Sequence, residues 1–475
     1  MTKNRWTYFL LLAACFLICL SGCQKDQVGT DGGLSVYSSA DSVEFDQVFT
    51  TQIQPTQSVK LLNGSQQDIQ INNIRLAGGE TSPFKINVNG QAGTNFNTLS
   101  LAKQDSLYVF ITISLPEHNS DEPFLVKDSI EYQYGDKTGK IILHAVGMNA
   151  YFLSGGTISS DTTWTDERPI VVNDNITVAT TATLHINPGT KVFTRAGKSI
   201  RVNGRIQAQG AADKAHQILL TGSRLDKPYN NMPGSWQGLS FGPDSKNNIL
   251  SYVHIKNAVN AIADTSKSIS AFDVNHQTAV TLEECVIMQS AKEALLFSHS
   301  NAIINNCLIY NSGIGIRAMG GKYTLNYLTM AGYSNDYIYH TNPLLYLADH
   351  DGKGVGDPLT IMATNCIITG DNEPLDEIFL DNKNSDFTLI FKNSLIKATT
   401  LPPLGSFKDC LLNVDPAFIS IDNLRATYNF QLLNVSPAIG AGIPVNGISK
   451  DILNRQRSEA TPTIGCYEFK EAATN

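Results

Sequence analysis

Helical periodicity is all but missing beyond about Tyr151, and the chain has no basic run, no CxxC pair and, past its first two dozen residues, no apolar stretch long enough to span a bilayer. Each absence closes a class of function. Lys and Arg number 35 against 43 Asp and Glu, a formal charge of −8; without clustered cations the chain has no grip on a phosphate backbone, so nucleic acid is not an expected partner. Without paired thiols, a zinc site of the ribbon or finger type is excluded. Cys285, Cys307, Cys366, Cys410 and Cys466 are five in number, and an odd set cannot all pair within one chain. What the chain does have is 42% hydrophobic content, enough to bury sizeable cores in several domains over 475 residues.

The N-terminus begins MTKNRW, continues with an apolar run from about Tyr8 to Leu20, and reaches Leu20-Ser21-Gly22-Cys23. A basic start with a short apolar middle is the pattern of a secretory signal over residues 1–22. The four residues before and including the cysteine resemble a bacterial lipobox, which implies cleavage before Cys23 and acylation, palmitate included, of its thiol. Each buried methylene contributes about 0.8 kcal/mol, so several acyl chains hold a protein on a membrane without a spanning helix. Gln24-Lys25-Asp26 is similar to the export signal of Bacteroidota surface lipoproteins, which implies the outer face of the outer membrane. Removing the leader takes away Lys3 and Arg5 and no acid, moving the charge from −8 to −10.

Residues 23–40, rich in Gly, Ser and Asp, read as a tether. Over 41–150, VEFDQVF, SVKLLN, DIQINNIRL, FKINV, SLYVFITISL, DSIEYQY and KIILHAVG alternate apolar with polar residues between turns, the period of a two-sheet sandwich. The block resembles the immunoglobulin-like domains of bacterial surface proteins. From 151 to 414 the texture changes to strands of three to six residues with many Asn and Gly turns. INPGTKV and IRVNGRIQAQG resemble the opening turns of right-handed parallel β-helices of the pectin-lyase-like kind.

Internal repetition supports that reading. LSYVHIKN, LEECVIMQ, INNCLIYN, LNYLTMAG, ATNCIITG, FKNSLIKA and FKDCLLNV align so that Val253, Cys285, Cys307, Leu328, Cys366, Ser394 and Cys410 share one column. Cys285 to Cys307 is 22 residues and Cys307 to Leu328 is 21, about one coil; gaps of 32, 38 and 28 elsewhere imply inserted loops. Equivalent positions of successive coils stack at ~4.8 Å, so the column is expected to point inward with its thiols as small apolar fillers. Asn257, Asn306 and Asn311, beside the strands, suit left-handed turn positions or an amide ladder.

Over 415–469, Asp415-Pro416, SPAIGAG from Ser436, Asp451, Arg457 and IGCYEF from Ile464 look like the C-terminal closing segment of bacterial β-helix proteins; residues 470–475 form a tail. Asn454 and Cys466 depart from the usual glycine and alanine of that pattern. The segment is expected to cap the open solenoid end, with Asp451 and Arg457 paired inside it.

Enzymes of this fold place acids and a basic residue along one outer face. The doubled aspartates of pectin-hydrolysing relatives and a close Arg-x-Lys pair are absent here. Glu283 and Glu284 are adjacent, so on one strand they face opposite ways. Asp349, Asp351 and Asp357, in LADHDGKGVGDP, are candidate oxygen ligands for Ca2+. His276 and His299 precede Cys285 and Cys307 by 9 and 8 residues and are candidates for a metal or an acid–base pair, or are unrelated turn residues. Tyr333, Tyr337, Tyr339 and Tyr346 are candidate sugar-stacking rings or loop packing. The expectation is an all-β, lipid-anchored surface protein that binds glycan or a partner protein through its β-helix without catalysis; the alternative is a polysaccharide lyase or glycoside hydrolase.

Overall fold

The computed structural model describes residues 35–471 apart from 53, 266–277, 351–356, 372, 374 and 384–385. The leader, Cys23, His276 and Asp351 lie outside the described residues. The protein is all-β; among the described residues the only helical turns are two short 3-10 pieces, and no helix is long and apolar enough to cross a membrane. The chain divides into two compact units between Asn149 and Ala150.

The first unit is a sandwich of two five-stranded sheets. One runs, in spatial order, Val36–Ser38, Gln57–Asn63, Ser106–Ile113, Phe84–Val88 and Gln91–Gly93; the other runs Ser42–Phe49, Lys137–Met148, Phe124–Tyr134, Ile69–Leu76 and Asn95–Leu101. Strict alternation makes this possible: in SLYVFITI, Leu107, Val109, Ile111 and Ile113 point inward while Tyr108 and Phe110 face out. Phe45, Leu61, Ile74, Phe84, Val109 and Ile130 fill the space between the sheets.

The second unit is a parallel β-helix of the right-handed type usual for such crossovers. Each full coil contributes a strand to three parallel ladders, as in Ile176–Val178, Thr183–Ile186 and Lys191–Thr194, called here the first, second and third. The third ladder stacks eleven strands, from Tyr151–Leu153 to Leu411–Leu412. In two coils the first and second ladders are formed by one long bent strand, Glu293–Asn305 and then Ile314–Asn326.

The aligned column is confirmed rung by rung. His254 pairs with Val286, Val286 with Leu308, Leu308 with Thr329, Thr329 with Ile367, Ile367 with Leu395 and Leu395 with Leu411, which stacks the preceding residues Val253, Cys285, Cys307, Leu328, Cys366, Ser394 and Cys410. All are fully buried except Cys410, which is half-buried. The Sγ of Cys285 donates to the Leu250 carbonyl at 3.2 Å and that of Cys307 to the Asn305 carbonyl at 3.2 Å. Burial pushes the Cys366 thiol up to about 12, so it stays protonated and is no nucleophile.

The corner that precedes this column is a single left-handed residue in every coil: Tyr252, Glu284, Asn306, Tyr327, Asn365, Asn393 and Asp409 all have φ between 46° and 57°. Asn257 and Asn311, with φ of 62° and 49°, occupy the next corner, as expected of asparagine there.

The C-terminal segment departs from expectation. Instead of closing the open end it lies along the side, with Phe418, Phe430, Leu432, Ile452 and Ile464 packed on Leu308, Ala331, Ile367 and Leu395 of the third ladder. The reason is that third-ladder strands such as Ile367–Gly370 are buried on both faces, and their outer apolar side needs cover as much as their inner one. The left-handed corner holds the segment by its backbone. Tyr327 donates to the Ile443 carbonyl at 2.9 Å, Asn365 brackets Ile443 with both amide atoms at 2.7 and 3.0 Å, Asn393 donates to the Ala441 carbonyl at 3.0 Å, and Asn306 donates to the Lys450 carbonyl at 2.9 Å. Asp451 and Arg457 do not pair. A turn closes Asp451 on Arg455 at 2.8 Å, and Arg457 reaches Glu468 at 3.4 Å.

Candidate functional site

Register alone assembles a column on the outside of the first ladder. Ala263, Leu296, Arg317, Tyr346 and Phe379 come from five coils and lie side by side. The Arg317 guanidinium sits 4.0 Å over the Tyr346 ring, and its Nε donates to Glu293 at 2.9 Å. Tyr346 and Phe379 have ring centroids 5.1 Å apart, and Phe379 is 46% exposed. Beyond Phe379 a hollow of about 520 Å3 opens, lined by Pro343, Leu380, Leu401, Pro402 and Leu404. Two residues further along each strand runs a second column, Ser298, Met319, Ala348 and Asp381. Asp381 accepts from the Tyr346 hydroxyl at 3.4 Å and lies 3.1 Å from His350 Nε2 and 3.8 Å from Lys383 Nζ.

Where the first ladder bends into the second, a buried acid–histidine corner forms. Asp357 lies 2.5 Å from His299 Nδ1 across the intervening coil, and Ser300 donates to Asp264 at 2.6 Å. Gly320 makes the crossing possible: a Cβ there would lie 2.0 Å from Asp357 Oδ2, and its φ is +69°. Neighbouring Gly321, with φ of +92°, leaves no room for a Cβ either, 1.9 Å from the Ser300 carbonyl. Burial, reinforced by Asp264 and Asp357, pushes the Tyr323 phenol well above its ordinary value, and its hydroxyl donates to the Gly320 carbonyl at 2.8 Å. Asp349 accepts the Lys383 amide at 2.9 Å and gives its carbonyl to the Asp357 amide at 2.8 Å.

The candidates named from sequence therefore separate. Tyr346, Asp349, Asp357 and His299 come together at one face and corner. Tyr333 packs near Phe430 on the far side, Tyr337 donates to the Pro228 carbonyl at 3.4 Å, and Tyr339 stands 72% exposed by itself; the four tyrosines form no common platform. Among the described residues no three His, Cys, Asp or Glu side chains converge as a metal site. Arg317, Phe379 and Asp381 escaped the sequence reading, although GIRAMGG, LYLAD and IFLDN carry the same apolar frame around them. A second buried pair, His340 with Glu377 at 2.8 Å, was missed as well.

Glu283 and Glu284 are not opposed across a strand, because Glu284 occupies a left-handed corner with φ of 52°. Burial raises the Glu284 carboxyl to about 6, against a bond from Asn306 that lowers it. A carboxyl held protonated favours the fold only while the unfolded chain also keeps that proton. As pH rises from 4.5 through 6 the unfolded state loses it first, so stability falls by about 1–2 kcal/mol across that window. Glu284→Gln is expected to remove this slope, read as the urea midpoint between pH 4 and 7; a slope unchanged in the variant would assign it to other groups.

No family model matches the chain, and no curated protein does. Among solved structures it is similar to Dex49A from Penicillium minioluteum at 10% identity, over 76% of this chain and 73% of that one, with a TM-score of 0.20. A family 123 glycoside hydrolase from Clostridium perfringens matches at 9% identity over 25% of this chain, with a TM-score of 0.19, and the match spans only 30% of that chain. The CupB6 tip adhesin from Pseudomonas aeruginosa matches at 10% identity over 27% of this chain and 44% of that one, also with a TM-score of 0.19.

Proposed function

We propose that this chain is a lipid-anchored protein of the bacterial outer-membrane surface, held by acyl chains on Cys23, whose β-helix binds a glycan across the outer face of its first ladder without cleaving it. The observation that carries the reading is the column Arg317, Tyr346 and Phe379, with Asp381 beside it. Exposed and half-buried rings offer faces to sugar C–H groups, while guanidinium and carboxylate offer donors and acceptors to hydroxyls. Glu293 and Asp381 are already engaged by Arg317 and by Tyr346 and His350, which suits recognition better than a pair of free carboxylates set across one bond. The anchor rests on Leu20-Ser21-Gly22-Cys23, and the surface location on Lys25-Asp26.

The test is a glycan array probed with the full-length protein in detergent. Capture of at least one glycan class is expected, with affinity falling about tenfold or more in Tyr346→Ala/Phe379→Ala. Capture that the double change leaves intact for every glycan overturns the reading. Cys23→Ser is expected to abolish labelling by a fatty-acid analogue and to release the protein from membranes.

A second reading, a polysaccharide lyase or hydrolase, draws on the His299–Asp357 pair beside this face, since a histidine oriented by a carboxylate suits a general base. Release of unsaturated products or reducing ends from a polysaccharide panel, abolished in His299→Gln, would establish it.

A further inference from the structure

The sandwich carries an outward face that its own fold does not need. On strand Ser106–Ile113, Tyr108 and Phe110 both point to solvent, 42% and 43% exposed, with ring centroids 5.7 Å apart and planes within 10°. The two rings lie stacked with nearly parallel planes, and both leave aromatic surface open to solvent. One strand over, Lys60 is the register partner of Tyr108 and holds its ammonium 4.8 Å above that ring. On the opposite flank Asn87 pairs with Phe110 and Lys85 with Thr112. At the edge strand Tyr37 is 52% exposed.

The chemistry of the remaining outward positions completes the pattern. Ser58, Ser106 and Thr112 contribute hydroxyls, and among the described residues no outward strand position of this sheet holds a carboxylate. The other sheet differs, with Glu44 exposed and an Arg75–Glu131 ion pair at 2.6 Å on its surface. On a chain whose net charge is −8, the strands of this face carry two lysines and no acid, with Glu80 and Asp105 confined to the turns that flank them.

We propose that this face binds an acidic polysaccharide, with pyranose rings seated on Tyr108 and Phe110 and their carboxylate or sulfate groups drawn to Lys60 and Lys85. Sugar rings supply flat C–H faces for the aromatic strip, and the neighbouring hydroxyl and amide side chains meet sugar hydroxyls. A protein partner would sooner meet a cluster of aliphatic side chains; here Leu62 is the one large aliphatic among the outward positions of these strands, and Ser58, Lys60, Lys85, Asn87, Ser106 and Thr112 are polar. The site lies on a different unit from the Tyr346–Phe379 column and does not rest on it.

Affinity electrophoresis of the full-length protein in detergent tests this, with gels containing polygalacturonate, hyaluronan, chondroitin sulfate or heparin, and neutral dextran and xylan beside them. At least one acidic polymer is expected to retard the protein, less so as salt screens the lysines. In the Tyr346→Ala/Phe379→Ala background, which removes the rings of the first-ladder column, Tyr108→Ala/Phe110→Ala is expected to weaken retardation about tenfold or more, and Lys60→Gln/Lys85→Gln removes its salt dependence. Retardation by no acidic polymer, equal retardation by the neutral ones, or persistence when Tyr108→Ala/Phe110→Ala is added to that background overturns the proposal. Since these side chains are half exposed, both sandwich variants keep the fold, which circular dichroism and the melting midpoint verify.

Discussion

Arg457→Ala is expected to lower the unfolding free energy by about 3–5 kcal/mol, the usual cost of removing one member of a buried ion pair. Its guanidinium, 3% exposed, has every donor directed. Nη1 faces Glu468 at 3.4 Å and the Thr463 carbonyl at 3.3 Å; Nη2 donates to Asn306 at 2.7 Å and the Gly465 carbonyl at 3.0 Å; Nε donates to the Lys450 carbonyl at 3.3 Å. The flat face rests 3.8 Å from the Tyr327 ring. Burial lowers the guanidinium pKa from its ordinary value, the mark of a charge that the surrounding acceptors must hold in place. Alanine would leave Glu468 buried beside a void and would remove the guanidinium contacts to Asn306 and Tyr327, leaving their bonds to the Lys450 and Ile443 carbonyls to hold the segment there. Arg457→Lys is expected to recover little, since one ammonium cannot replace a planar fork of five donors. Urea unfolding gives the magnitude, and limited proteolysis should release the segment first. A loss under about 1 kcal/mol would place Arg457 among surface charges and refute the clamp.

Gly320→Ala is the second large effect, with an expected loss of about 2–4 kcal/mol from left-handed backbone and a direct clash combined. Its Cβ would lie 2.0 Å from Asp357 Oδ2, so Asp357 must withdraw from His299. If the clash works through that pair, Gly320→Ala and Asp357→Asn remove the same contact, and the double variant should lose less than the two single losses together. Thermal or urea unfolding of the four proteins measures the difference. Strict additivity would mean that glycine serves only its own backbone and that the His299–Asp357 contact contributes nothing.

How much of this was legible depends on which residues carried the information. The stacked thiols were, because each coil, whatever loop it carries, returns a position of similar volume to the same place within a similar local pattern, and Cys285, Cys307 and Cys366 marked it directly. The sandwich was legible from alternation, since one buried face per strand leaves a period of two. The lateral course of the C-terminal segment was written only in half. VIM, LIY and IITG are apolar at successive positions, which states that both faces are covered and not by what. The partners of Arg457 were hidden for another reason. Asp451 is nearer in sequence, yet a turn gives it to Arg455, while Glu468 arrives eleven residues later. The Arg317–Tyr346–Phe379 column was invisible because its members belong to coils separated by loops of unequal length, and only strand register brings them together.

Synthesis delivers the N-terminal end first, so the residues that shield Leu308, Ala331 and Ile367 arrive after them. Until Ile443 meets Asn365, a nearly finished molecule presents a greasy flank to whatever shares its compartment. A stop codon just before Phe418 would make that condition permanent, turning a modest truncation into a species prone to clump rather than merely a shorter version of the same protein.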